Sequence, residues 1–155
     1  MDVCLRYWAA DEHLANIHTG AWRPMVGPDG APLPGIDGKR GVRGIKGDGS
    51  HIGADFIRMQ PGARFELHTH EGEHEIYFVS GTGAVHINGE DITVTGGYLI
   101  HIPAEYPHGV WVPAGMLAPL IFCAVGHPHH HVHAPDRMTM VEEDNGEPRG
   151  VASGV

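Results

Sequence analysis

The chain has 155 residues and a mass of 16.7 kDa, a size that fits one domain able to bury a core. Nineteen acidic against ten basic side chains leave a formal charge of -9, which speaks against the clustered cations that phosphate contacts require, so no nucleic-acid partner is expected. Twenty-three Gly and twelve Pro point to a turn-rich β protein rather than a helical bundle. No apolar run is long enough for a membrane span or a signal peptide, so the expectation is a cytoplasmic protein without a membrane partner.

Residues 1–17 hold the best helical pattern, with Leu5, Trp8, Ala9 and Leu14 on one face. Residues 19–50 are rich in Gly and Pro and read as a long surface arm, with one brief strand at 41–46. Domain limits follow: an N-terminal helix and arm over 1–50 packing on the barrel or on a partner subunit, a β domain over 51–141, and a polar tail over 142–155 expected to be disordered. Within the β domain, short strands are expected at 54–59, 64–70, 75–79, 83–87, 92–95, 98–102, 110–112 and 120–125. Asn88-Gly89 between two of them is the strongest hairpin signal. Even spacing of short strands implies an antiparallel sandwich or closed barrel. Cys4 and Cys123 are expected to be free thiols.

Three histidines fall within seven residues. His68 and His70 are two apart on a predicted strand, so both imidazoles leave from one face and make half a metal site. His74 opens the next strand and offers a third ring; His108, after a Pro-bounded loop, offers a fourth. By the same parity Arg64 and Glu66 share the His68 face, and only one of Arg58 and Asp55 can point inward. Arg58 is the candidate clamp for a substrate carboxylate, and Glu66 the candidate base or orienter of an imidazole. Tyr106, Trp111 and Phe122 are candidate mouth-lining or core aromatics, while His86 and His101 are not expected to be ligands. A second group, His127, His129, His130, His131 and His133, can bind metal adventitiously as an exposed segment.

Gly62-x5-His68-x-His70-x3-His74-x6-Gly81 resembles the first cupin motif, and Gly97-x5-Pro103-x4-His108 resembles the second. The resemblance implies an all-β fold, a double-stranded β-helix or jelly-roll barrel with an N-terminal extension, and a metal inside it. The first motif commonly has Glu where His74 stands, with Glu75 adjacent here; the pattern is similar to the four-histidine branch of cupins. It assigns His68, His70, His74 and His108 as ligands, with Glu75 the alternative third ligand and a further candidate for catalysis. Glu105 and Val112 stand where the motif often has Gly and Asn.

The resemblance implies one divalent transition metal per chain, with Fe(II), Mn(II), Zn(II), Ni(II) and Cu(II) all compatible with imidazole. Four neutral ligands leave the cation's charge uncompensated, which favours an anionic, oxygen-rich small molecule. Metal-dependent dioxygenase, decarboxylase, isomerase or lyase and cyclase chemistry is the expectation, the alternative being a non-catalytic binding module. Small cupins resemble homodimers built by exchange of N-terminal strands, to which residues 41–46 are suited.

Overall fold

Alternation of apolar and polar residues resolves into strands throughout the computed structural model, which describes residues 8–127, 139–144 and 147–149. In chain order they are β1 (Arg23–Val26), β2 (Pro32–Ile45), β3 (His51–Met59), β4 (Arg64–Thr69), β5 (Glu73–Ser80), β6 (Thr82–Ile87), β7 (Glu90–Thr95), β8 (Leu99–Ile102), β9 (His108–Trp111), β10 (Leu120–His127), β11 (Thr139–Met140), β12 (Glu142–Asp144) and β13 (Glu147–Arg149). Two antiparallel sheets form the layers of the all-β jelly roll. One has the order β1-β2-β3-β10-β5-β8 and the other β11-β4-β9-β6-β7.

The core lies between them. Phe78 and Phe122 pair at a ring-centroid separation of 5.4 Å, surrounded by the fully buried Met59, Ile102, Leu120 and Val85. Burying each such side chain contributes about 1.5–3 kcal/mol, the main term holding the layers together. The Asn88-Gly89 turn joins β6 to β7 as its sequence predicts, both residues adopting positive φ (54° and 73°), the conformation that matches strand twist in a two-residue hairpin.

The N-terminal third differs from expectation. The Gly- and Pro-rich stretch is no arm lying over the surface: β1 and β2 are integral strands of the six-stranded sheet, and β2 pairs with β3 along most of its length. The expected helix is a single turn, α1 (Ala10–His13), and residues 1–7, with Cys4, lie outside the described residues. Ala9 supplies no side-chain cap, and Leu14 remains 66% exposed, so neither capping nor burial extends the turn. Cys123 is a free thiol. The backbone of β12 and β13 pairs as a short ribbon within the stretch expected to be disordered, whereas His129, His130, His131 and His133 lie outside the described residues. Among the described residues no helix is long and apolar enough to cross a membrane.

A β-bulge interrupts β2, where Arg40 faces Asp55 and Val42 faces Ala54, leaving Gly41 as the extra residue. A Cβ at Gly41 would lie 2.0 Å from the Ala54 carbonyl oxygen, so only glycine fits. Gly41→Ala is therefore expected to destabilise the fold by at least ~2 kcal/mol in urea denaturation; an unchanged midpoint would contradict this packing.

Candidate metal centre

A second bulge builds the site. In β4, Phe65 pairs with Val110 and His68 with His108, so three steps along β4 match two along β9. That extra residue reverses strand parity between Phe65 and His68. Phe65 packs in the core, Arg64 and Glu66 turn to solvent, and His68 and His70 nevertheless point inward. Continuous parity would have put His68 on the face of Arg64 and Glu66, and the structure corrects that expectation. The bulge requires Gly109 opposite it, because a Cβ there would meet the Phe65 carbonyl oxygen at 2.8 Å.

His68, His70 and His108 are all buried, and one ligand nitrogen from each lies within 4.8 Å of the others. Two nitrogens on opposite sides of an ion with bonds of about 2.1 Å would be separated by about 4.2 Å, so these rings can share an ion with little adjustment. Each ring is oriented by a backbone carbonyl at its Nδ1: Glu66 at 2.6 Å for His68, Gly72 at 2.8 Å for His70, and Tyr106 at 2.8 Å for His108. A carbonyl only accepts, so Nδ1 carries the proton in all three and Nε2 keeps its lone pair. This is the tautomer a ligand requires.

His74 starts the inward alternation of β5 that continues through Ile76 and Phe78. Its ring lies 4.4 Å from His70 and 5.9 Å from His108, centroid to centroid. Glu75 faces the other way and accepts a 2.6 Å hydrogen bond from His101 Nδ1 on β8, both side chains half exposed. Of the two candidates for the third position, the structure brings His74 to the cluster and leaves Glu75 outside.

The other expected catalytic side chains are also outside. Glu66 pairs with Arg64 at 3.0 Å in solvent. Arg58 pairs with Asp37 at 2.8 Å and lies over the Trp22 ring on the outer face of its sheet. Its neighbour Asp55 takes the inward place and holds Arg43 at 2.8 Å. Sequence reasoning missed that partnership because the Gly41 bulge sets which β2 residues face inward. Trp111 is sandwiched on the outer surface between Arg64 and His86, which bonds Asp91. Tyr106 reaches Asn88 on the surface, and Phe122 is core.

Electrostatics keep His68 and His108 neutral. Burial pushes the His68 imidazole down to about 4, against the opposing pull of the Glu66 carbonyl and with a small addition from His70. Burial, then the neighbouring His68, holds His108 well below its ordinary value. The same residues match the family model described as "Cupin domain" over 55–118. An "Oxalate-binding protein" from Thermotoga maritima is 38% identical over 58 residues, 36% of this chain and 48% of that protein, so the match spans about half of the relative's length. Three solved structures share the fold. The polyketide cyclase RemF from Streptomyces resistomycificus has a TM-score of 0.62 at 18% identity, covering 86% of this chain and 89% of its own. KdgF from Halomonas sp. has 0.61 at 19%, covering 76% and 94%. A sugar phosphate isomerase from Silicibacter pomeroyi has 0.56 at 22%, covering 72% and 73%.

Two outcomes are expected. Gly109→Ala should disturb the bulge and with it the direction of His68, lowering divalent-metal affinity at least about ten-fold by titration, the scale seen when ligand-orienting groups are lost. For the metal-free protein, His68 binds a proton in the unfolded chain near 6.5 but in the fold only near 4. The unfolded state therefore holds more protons between those values. Stability is fully present above about pH 6.5 and falls by roughly 3 kcal/mol as pH drops toward 4, on this residue alone. Chemical denaturation across that window checks it, and a flat profile would contradict the burial.

Proposed function

Because residues 55–118 match the cupin domain model, we propose that this chain is a metal-dependent cupin enzyme acting on a small, anionic, oxygen-rich metabolite. Nε2 of His68, His70, His74 and His108 would hold one divalent transition metal. The observation that carries this reading is the set of three carbonyl-locked Nδ1 atoms, which commits three buried rings to present lone pairs to one point. Burial that holds His68 and His108 neutral leaves them suited to a ligand role.

A divalent ion bound there would supply Lewis-acid polarisation of an oxygen donor and, for a redox-active metal, electron transfer. The chain's own contributions are orientation and exclusion of water. The Glu66, Gly72 and Tyr106 carbonyls fix the rings, and the apolar wall formed by Ile76, Ile102 and Phe65 keeps bulk solvent from the inner side. Oxygenation, decarboxylation, isomerisation and cyclisation all remain compatible with such a centre, and RemF and the sugar phosphate isomerase illustrate two named activities among structures of this fold. A second reading, a non-catalytic binding module, draws on the name of the oxalate-binding relative.

Untagged protein prepared without added metal should contain about one equivalent of a divalent transition metal by elemental analysis. His68→Ala should lower that content at least ten-fold while circular dichroism stays β-rich; equal metal in both proteins would overturn the assignment. Oxalate binding to the loaded protein without turnover of any tested acid would favour the binding module.

A further inference from the structure

On the inner face of the six-stranded sheet one cross-strand row runs Arg43, Gly53, Gly126, His74, Ile102. The neighbouring row carries Asp55, Ala124, Ile76 and Ile100, of which Ala124 and Ile76 are core, so this face is the barrel interior. The two positions between Arg43 and His74 are glycines and project no side chain inward. With strands about 4.8 Å apart, the Arg43 and His74 backbones are on the order of 14 Å apart across the sheet. A guanidinium reaches in from one end of that bare stretch and an imidazole from the other.

The remaining paired cations face elsewhere. Arg40 pairs with Glu12, Arg58 with Asp37 and Arg64 with Glu66, and Lys39 donates to the Ile17 carbonyl. Arg43 is mostly buried. Its Nη1 donates to the Val42 and Ala54 carbonyls at 2.9 and 3.3 Å, and its Nη2 reaches both oxygens of Asp55 at 2.8 and 3.1 Å. Nε, screened from solvent, has no hydrogen-bond partner among the described residues. The guanidinium is thus anchored but not saturated, and by turning about its anchor it would gain a bond to an anionic oxygen.

Resting on the metal-centre reading, we propose that Arg43, oriented by Asp55, is a positioning residue that fixes the carboxylate at the far end of a ligand whose near end meets the four imidazoles. The substrate class is then a short diacid, or an acid with a second oxygen-donor group, lying across Gly53 and Gly126. Asp55 sets the direction of the guanidinium and offsets its charge, which avoids an uncompensated buried cation. The competing role is purely structural, with the pair only fastening the Gly41 bulge through the 3.0 Å bond from Gly41 N to Asp55.

Calorimetric titration of the zinc-loaded full chain separates the two. Malonate, succinate and glutarate are each compared with the monoacid of equal carbon count: propionate, butyrate and pentanoate. At least one diacid should bind ten-fold tighter than its monoacid, and Arg43→Gln at full zinc loading should bring the two within two-fold. A preference retained in Arg43→Gln, or none in the wild type, overturns the proposal. Should Arg43→Gln fail to fold, the wild type decides by NMR. The Arg43 Nε–H resonance should move with the preferred diacid and not with the monoacid, and a resonance that stays put overturns the proposal. Failure of the underlying metal reading is distinguishable, because it appears as absent zinc stoichiometry before any acid is added.

Discussion

One residue of slippage between β4 and β9 is the constraint on which the site depends. Without it, a strand that buries Phe65 would aim His68 and His70 at solvent, since alternate residues of a regular strand face opposite ways. With it, a core aromatic and two imidazoles share the interior. The cost is a disrupted ladder and a position where only Gly109 fits; the gain is that the Glu66 carbonyl, freed from regular pairing, is available to fix His68 Nδ1.

That geometry sets the electrostatics. The chain carries a net charge of -9, yet three of its carboxylates near the imidazole cluster are spoken for elsewhere: Glu66 and Glu75 are on the outside, and Asp55 is neutralised by Arg43. Burial favours the uncharged form of His68 and His108, and each locked ring satisfies its one N–H. Around His68 and His108 the interior is therefore polar without being charged, a state that costs little in the core while leaving lone pairs exposed to one another.

Much of this was legible in the sequence, and the limits have physical causes. Local signals read well: the Asn88-Gly89 hairpin, the short alternating strands of the β domain, and the histidine spacing depend on near neighbours. Non-local ones did not. The parity switch at His68 is written on β9, in Gly109, not on β4 itself. The meeting of Asp55 with Arg43 depends on a bulge in β2, whose Gly and Pro content masked a strand because an outer pairing with β1 and β3 tolerates both residues. The short helix was misjudged for a related reason, since periodicity cannot tell whether a partner surface exists to bury it.

The loop between β8 and β9 ties the surface to the interior. Glu105 holds a left-handed φ of 60° where the cupin motif often has glycine, and its amide donates to the His70 carbonyl at 2.8 Å. The next residue, Tyr106, rests its hydroxyl on Asn88 at the rim and its carbonyl on His108. The His70 peptide and the His108 ring are thereby leashed to consecutive residues. Exchanging this loop for one of another length would retune both at once, so loop swaps intended to alter what enters the barrel cannot leave the imidazole geometry as a fixed background.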